Sequence, residues 1–294
     1  MNLIGWIGAG SLGGALIRRL LATENPVLIY NRTNDKLKSF LELGARAARD
    51  LNQMALEVGL VGICVSDISA TMNVVSELLK HSTTPLDILN FSTIGSLGSA
   101  KIRRIVEMHG SAYLECPVTG GPEGAEEGNL TVYISGPRRT YIEFNSIFRN
   151  IAQSVHYLGA GNEAQIVKVL NNAMEAVNLW GASEALVLGL ANELELGAFS
   201  NALLAGRGSS KYYELLLRCL REEPDSTRTG VSLNIRRKDI DLAVVEMQQH
   251  GLDLQLFRAV SELFGEAEKN RGKYSDQTEC FDFLLNKAKL SLLK

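Results

Sequence analysis

Three glycines between a strand-like run and a helix-like run constrain the fold of this chain more than any other feature. In the stretch LIGWIGAGSLGGALIRRL, residues 3 to 20, Gly8, Gly10 and Gly13 follow an apolar run and open an amphipathic one. A G-x-G-x-x-G turn in this setting lets a pyrophosphate approach the backbone and the free N–H groups at the helix N-terminus. The motif alone is weak, and a turn without a ligand is the alternative, but the flanking strand and helix favour a dinucleotide site. The predicted cofactor-binding loop consists of Gly8, Ala9, Gly10, Ser11, Leu12 and Gly13.

Short apolar runs alternate with helical patterns over the first half of the chain. The strand candidates are LIGWI, VLIY, VGICV, LDILNF, AYLEC, LTVYIS and VHYL. This alternation is typical of a parallel sheet with helices on both faces. After Gly161 the strand patterns vanish, and helical patterns cover residues 162 to about 196 and continue from about 234. The sequence predicts an α/β fold: a Rossmann-type doubly wound sheet over residues 1–161, followed by an all-α domain over residues 162–294.

Two local signals mark the second half. Asn162 is placed to cap the first long helix, and Gln165, three residues on, is placed to reach back to it as in a capping box. The stretch LREEPDSTRTG, residues 220 to 230, is predicted to be a loop because Pro224 and Gly230 flank a polar cluster.

Composition excludes several classes of protein. A chain of 294 residues with a formal net charge of -3 lacks the clustered positive charge that nucleic acids require. Its four cysteines form no C-x-x-C pair, so neither a zinc site nor a disulfide framework is expected, and no metal is predicted. No apolar run approaches the length of a membrane span, and no basic leader follows Met1, so we expect a cytoplasmic protein.

The end of the second strand candidate bears on the choice of cofactor. NAD sites usually place an acidic residue there, about 20 residues after the glycines, to bind the ribose 2′-OH. In VLIYNRT this chain has Asn31, Arg32 and Thr33 instead. An arginine with two neutral hydrogen-bonding side chains suits a 2′-phosphate, so NADP is favoured over NAD. The alternative for Arg32 is a solvated surface charge.

Five motifs in order along the chain resemble those of the β-hydroxyacid dehydrogenase family, which includes 3-hydroxyisobutyrate dehydrogenases and glyoxylate or succinic semialdehyde reductases. They are IGAGSLGGAL, FSTIG, CPVTGGPEGAEEGNL, GAGNEAQIVKVLNN and IRRKDIDLA. The resemblance covers nearly the whole chain. It implies hydride transfer between a nicotinamide and a small β-hydroxy acid or semialdehyde.

Lys168 is the expected catalytic residue. Hydride transfer to a carbonyl leaves an alkoxide, and a lysine whose pKa is lowered by burial can supply the proton near neutral pH. Asn172 follows one helical turn later on the same face, where it can hold the substrate oxygen or the lysine. The alternative is an exposed lysine and asparagine on a solvated face, since lysine is almost always exposed.

Four residues are expected to bind the substrate. Backbone N–H groups in a Gly-Gly turn can approach a carboxylate without a Cβ in the way, and a neighbouring hydroxyl adds a donor. Thr119, Gly120 and Gly121 have this composition, and the family resemblance implies that they bind the acid group. Resemblance also places Ser92 on the substrate side. A plain loop is the alternative for the glycine pair.

Further residues are assigned to the cofactor. Ser92 and Thr93 follow the strand candidate LDILNF, at the sheet edge where ligands bind, and resemblance assigns Thr93 to the cofactor. Val65 and Ser66, at the end of VGICV, are assigned to it as well. Lys238 matches the family lysine near the nicotinamide, with Asp239 beside it fixing local geometry. An ordinary charge pair on a helix surface is the alternative for these last two.

Departures from the family pattern leave the substrate open. Asn90 stands where relatives often have aspartate, Thr119 where most carry serine, and Val231 where an aromatic residue is common. They indicate a reshaped substrate pocket, and the exact substrate and physiological direction stay undetermined. An imine or oxime reductase and a non-catalytic nucleotide-binding scaffold are the alternatives. Imine reductases usually carry another residue in place of the catalytic lysine, so Lys168 argues against imine reduction. The apolar helices after Gly161 favour a homodimer or homotetramer formed through the helical domain.

Overall fold

The computed structural model describes residues 3–221 and 229–290. The chain divides into two compact units between Lys168 and Val169. The sequence predicts a boundary near Gly161, just before the helix Glu163–Ala191, whereas the division of the structure falls within that helix. Most of the loop predicted over residues 220–230, namely 222–228, lies outside the described residues.

A nine-stranded sheet forms the centre of the described part of the first unit. Its strands are β1 Ile4–Ile7, β2 Val27–Tyr30, β3 Arg46–Ala47, β4 Leu60–Ile63, β5 Asp87–Asn90, β6 Tyr113–Glu115, β7 Val118–Thr119, β8 Leu130–Ser135 and β9 Ala152–Gly159. The spatial order is β3-β2-β1-β4-β5-β6-β8-β7, with β9 also paired to β8. The first six strands of this order are parallel to their neighbours, whereas β6 and β7 run antiparallel to β8.

This topology confirms the predicted doubly wound fold. The order 3-2-1-4-5-6 reverses direction between β1 and β4, and open sheets of this kind bind ligands beyond the carboxyl ends of the strands at the reversal. All seven strand candidates form strands. The two further strands, β3 and β7, have two residues each and carry no alternating pattern that a sequence could reveal.

Helices cover both faces of the sheet in the first unit. They are α1 Ser11–Ala22, α2 Lys38–Glu42, α3 Leu51–Glu57, α4 Ile68–His81, α5 Gly95–Met108, α6 Gly121–Glu127, α7 Arg138–Glu143 and α8 Asn145–Ile151, with a 3-10 turn at Asn34–Leu37. Successive residues of β2 point to opposite faces, as the strand period requires. Val27 and Ile29 therefore pack in one apolar cluster with Leu16 of α1, and Leu28 packs in the other with Val75 of α4.

The second unit is helical, as predicted. The helix α9 Glu163–Ala191 enters it from the first unit, and it is followed by α10 Leu196–Leu204, α11 Lys211–Arg221, α12 Leu233–Gln249, α13 Gln255–Arg271 and α14 Glu279–Ala288. Trp180 of α9 packs edge-on against Phe264 of α13 and Phe283 of α14 in its main apolar cluster.

The first long helix ends earlier than the sequence predicts. It ends at Ala191 rather than near residue 196, because Glu193 adopts a left-handed conformation with φ 58°. The N–H of Leu194 then donates to the Gly189 carbonyl oxygen at 3.2 Å, as in a Schellman motif. The carboxylate of Glu195 caps the next helix, accepting from the N–H groups of Gly197 and Ala198.

No described helix is long and apolar enough to cross a membrane. Cys64, Cys116, Cys219 and Cys280 form no disulfide bonds.

Candidate active site

The glycine turn follows β1 and opens α1. Gly8 has φ +100°, and a Cβ there would collide with the carbonyl oxygen of Cys64. A Cβ at Gly13 would collide with the carbonyl oxygen of Gly8. Gly10 differs, because no atom lies within 4 Å of where its Cβ would stand, and the residue is exposed. Packing therefore requires the first and third glycines, while the second leaves open space beside the start of α1, where no side chain caps the helix.

The segment after β2 is tied to this turn by Asn31. Its Oδ1 accepts from the N–H of Ala9 at 3.0 Å, and its Nδ2 donates to the Thr33 carbonyl oxygen at 2.9 Å. Both ends of the Asn31 amide are thus used to shape the loop. Arg32 and Thr33 are exposed beside it.

The carboxyl ends of β4 and β5 are joined by Ser92. Its Oγ accepts from the N–H of Val65 at 2.9 Å, and its own N–H donates to Oδ1 of Asn90 at 3.1 Å. Asn90 is fully buried and donates from Nδ2 to the hydroxyl of Tyr113 at 2.8 Å. Asn90 therefore supports the buried side of Ser92, and its effect on the shape of the substrate pocket stays a prediction.

Ser66 and Thr93 follow the same strand ends. The Ser66 hydroxyl donates to Oδ2 of Asp67 at 2.6 Å, and Asp67 caps α4 by accepting from the N–H of Ala70. Thr93 is half-buried and lies directly after Ser92. The structure thus gathers the predicted residues of β4 and β5 at one edge of the sheet.

Thr119 ends β7, Gly121 begins α6, and Gly120 lies between them. Gly120 has φ +126° and Gly121 has φ +69°, which are conformations that side-chain-bearing residues rarely adopt. A Cβ at Gly120 would also approach Cδ2 of Leu130 to 3.0 Å. The backbone by itself accounts for both glycines, so the role of this turn in substrate binding stays a prediction.

Lys168 and Asn172 lie one turn apart on α9 and both are buried. Lys168 is only 8 % exposed and Asn172 only 3 %. The alternative of a solvated helix face is therefore wrong for this pair. Burying a lysine is costly unless its charge is compensated or functional, which makes the position chemically unusual.

The capping box predicted at the start of α9 does not form. The Oδ1 of Asn162 is buried and without a hydrogen-bond partner among the described residues. Gln165 instead turns its amide to the segment after β5, because that segment offers two N–H donors and a carbonyl acceptor at hydrogen-bond distance. The N–H groups of the first turn find other acceptors: Ala164 donates to Oγ of Ser135 at 2.7 Å.

Glu115, at the end of β6, is a buried acid that the sequence reasoning missed. Its Oε1 lies 3.1 Å from Nη2 of Arg103, and its Oε2 accepts from the N–H of Gln165 at 3.1 Å. Burial raises the pKa of Glu115 to about 7, against the opposing effects of Ser99 and Arg103. A charged residue at the end of a buried strand, in the stretch AYLEC, is the signal that would have found it.

In the second unit, Asn172 is held by Asp239. The Nδ2 of Asn172 donates to Oδ2 of Asp239 at 2.7 Å, and Nζ of Lys238 lies 3.0 Å from Oδ1 of the same carboxylate. Asp239 is buried, whereas the Lys238 side chain is about a third exposed. The alternative of an ordinary surface pair is wrong for Asp239.

A second buried group supports this arrangement and was also missed. Arg236 is buried and donates to Glu175, Tyr212 and Gln277 at 2.8, 2.7 and 2.7 Å. Its Nη1 also reaches the carbonyl oxygen of Asn172 at 3.3 Å. The available signal was periodicity, because Arg236 shares its helix face with the apolar residues of α12.

Among the described residues no cluster of histidine, cysteine, aspartate and glutamate could hold a metal ion. The doubly wound sheet and its glycine turn beside open space are the arrangement of a dinucleotide-binding domain.

Family comparisons agree with this class. The family model for the NAD binding domain of 6-phosphogluconate dehydrogenase matches residues 3–159. The model for the NAD-binding region of NADP-dependent 3-hydroxyisobutyrate dehydrogenase matches residues 160–284. The chain belongs to the β-hydroxyacid dehydrogenase family.

Individual relatives are distant in sequence. The chain is 26% identical to mitochondrial 3-hydroxyisobutyrate dehydrogenase of Mus musculus, over 82% of this chain and 74% of that protein. It is 25% identical to 2-hydroxy-3-oxopropionate reductase of Escherichia coli K12, over 94% of both chains. Among solved structures, Psf3 in complex with NADP+ and 2-OPP matches with a TM-score of 0.88 and 29% identity, over 96% of this chain and 99% of that one.

Proposed function

We propose that this chain is an NADP(H)-dependent dehydrogenase or reductase that acts on a small β-hydroxy acid, or on the corresponding semialdehyde or keto acid. The observation that carries the proposal is the burial of Lys168 and Asn172 on one face of α9. A buried amine one turn from a buried amide suits the handling of a proton on a substrate oxygen.

When bound, the nicotinamide supplies or accepts the hydride at the substrate carbon. In reduction Lys168 gives a proton from Nζ to the oxygen of the carbonyl, so that hydride and proton together make the alcohol. In oxidation its neutral amine takes the hydroxyl proton back. Asn172 orients the same oxygen by donating the second N–H of its Nδ2, because the first N–H is held by Asp239 and fixes the plane of the amide.

The substrate's acid group is assigned to Ser92 and to the turn of Thr119, Gly120 and Gly121. The Oγ of Ser92 accepts from Val65, which leaves its own proton to donate to a carboxylate. The left-handed turn exposes backbone at Gly120 without a Cβ. Both groups follow strand ends of the same sheet.

The cofactor is assigned to the glycine turn, Val65, Ser66, Thr93 and Lys238. Preference for NADP over NAD is assigned to Arg32 and Thr33, because the amide of Asn31 is used within the loop. The exposed guanidinium of Arg32 can bind a 2′-phosphate through two N–H groups. The presence of NADP+ in the Psf3 structure supports this choice.

The chain is further proposed to act in the cytoplasm as a homodimer. Cysteines that form no disulfide bonds fit a reducing compartment. An exposed stripe on α9 supports self-association: Leu170, Met174 and Leu188 are 48%, 63% and 66% exposed. A 29-residue helix with such an apolar stripe favours pairing with a second copy.

Replacement of Lys168 tests the proposed function. Lys168→Ala is expected to keep NADPH affinity near that of the wild type and to lower single-turnover NADPH oxidation by about 10²- to 10⁴-fold with a semialdehyde or glyoxylate. Lys168→Arg should not restore turnover, because arginine keeps its proton. Asn172→Ala should cost less, since the proton donor remains.

Three outcomes would contradict the proposal. Wild-type turnover by Lys168→Ala would make this lysine a bystander. Turnover of imines in preference to carbonyls would favour an imine reductase. NADPH binding without turnover of any member of the panel would favour a nucleotide-binding scaffold.

A further inference from the structure

The side chain of Gln165 ties the start of α9 to the segment after β5. Gln165 is fully buried, and its Oε1 accepts from the N–H groups of Ile94 and Gly95 at 3.0 and 3.1 Å. Its Nε2 donates to the carbonyl oxygen of Ser92 at 2.9 Å. The orientation of the amide is fixed by these partners, because two donors face its oxygen and a carbonyl faces its nitrogen.

The position of this link relates it to the proposed chemistry. Gln165 lies three residues before Lys168, so the two side chains share a face of α9. The segment to which Gln165 is hydrogen-bonded begins with Ser92, which is assigned to the substrate, and Thr93, which is assigned to the cofactor.

The backbone of Gln165 is fixed as well. Its N–H donates to Oε2 of Glu115, and the Arg103 guanidinium bonds to the other oxygen of that carboxylate. Arg103 also donates to the carbonyl oxygen of Gly161, just before α9. The first turn of the helix is therefore held at both its backbone and its side chain.

We propose that Gln165 is a positioning residue that sets the distance between Lys168 and the segment of residues 92–95, through the hydrogen bonds of its amide. This inference rests on the proposed function of Lys168. A displacement of about 1 Å at a reacting group can cost on the order of 10²-fold in rate, so loss of the link should appear in kcat. Thr93 is one of several residues assigned to the cofactor and the glycine turn is untouched, so NADPH affinity should fall by much less than kcat.

Gln165→Glu is the sharpest test. The carboxylate can still accept from the N–H groups of Ile94 and Gly95, but it repels the carbonyl oxygen of Ser92. A protonated glutamate would again donate to that oxygen. Burial of this position and the Glu115 carboxylate raise the pKa of the introduced acid, while Arg103 and Lys168 oppose the shift. Glu115 itself titrates near pH 7, and the comparison with wild type at each pH corrects for it because both proteins carry Glu115. We expect kcat about 10- to 100-fold below wild type at pH 8, with the ratio of variant to wild type recovering as the pH falls to 6.

A neutral variant separates positioning from a direct effect of charge on Lys168. Gln165→Met removes all three hydrogen bonds and should lower kcat at every pH, with the ratio to wild type flat. Ser135→Ala is the matched control, because it removes the acceptor of the Ala164 N–H at the same helix terminus without touching residues 92–95. It should lower the unfolding temperature and leave kcat unchanged.

Hydrogen exchange supplies a readout that needs no turnover. The amides of Ile94 and Gly95 should exchange at least about tenfold faster in Gln165→Met than in wild type or Ser135→Ala, since buried N–H groups without acceptors open more readily. If the wild type turned over none of the substrates, the proposed function would fail while this measurement still decided whether Gln165 holds the segment. Wild-type kcat in Gln165→Met, a Gln165→Glu deficit unchanged with pH, or unaltered exchange would each overturn the inference.

Discussion

The glycine turn allows a prediction that separates protein stability from NADPH binding. Valine is substituted at Gly10 in one variant and at Gly13 in another. Gly10 has φ −72° and ψ −170°, a conformation open to any residue, and nothing lies within 4 Å of its Cβ position. Since Gly10 is the N-cap of α1, where valine is disfavoured, Gly10→Val should cost about 1 kcal/mol of stability. Gly13→Val drives a side chain into the Gly8 carbonyl oxygen and should cost several times more.

Gly10→Val should lower NADPH affinity strongly, although it lowers stability only slightly. A valine there occupies the open space beside the uncapped N–H groups of α1, where the pyrophosphate is expected. Hydrogen bonds to a charged group contribute about 1.5 to 3 kcal/mol each. Loss of two such bonds is about 3 to 6 kcal/mol, which raises the dissociation constant for NADPH by roughly 10² to 10⁴.

Urea unfolding and NADPH fluorescence titration measure the two effects on the same samples. Gly59→Val is a matched control, because Gly59 also has open space around its Cβ position and lies before β4, away from the turn. It should bind NADPH as the wild type does. If Gly10→Val folds and titrates NADPH normally, the turn is only structural and the cofactor assignment fails.

Three further predictions concern cofactor choice, pH dependence and assembly. Arg32→Ala should weaken NADPH about 10- to 100-fold and leave NADH nearly unchanged, and equal losses for both in titration would refute the 2′-phosphate assignment. Burial raises the pKa of Glu115 from 4.5 to about 7, so its contribution to the free energy of unfolding is complete below pH 4.5 and is lost as the pH rises through 7, by about 3 kcal/mol in total. In urea unfolding across this pH range, the free energy of unfolding should fall less steeply with pH for Glu115→Gln than for the wild type. An identical slope for the two proteins would contradict the raised pKa of Glu115. Met174→Glu should shift the protein toward monomer in light scattering after size exclusion, because it sets a charge in the apolar stripe of α9, and an unchanged mass would place the interface elsewhere.

The sequence by itself determined the elements whose patterns are local. The glycine turn, the seven strand candidates and the change to helices after Gly161 all follow from residues close together in the chain, because strand and helix periods repeat within a few residues. The pairing of Lys168 with Asn172 on one helix face is local in the same sense.

Only the tertiary structure decided the partners of the buried polar groups. Gln165 has a local partner available in Asn162, yet it binds the segment of Ile94 and Gly95, far away in sequence. Asn172 likewise finds Asp239 from another helix. A buried amide must satisfy its donors and acceptors wherever the fold brings partners within about 3 Å. That distance is set by the packing of whole elements, which no short stretch of sequence encodes.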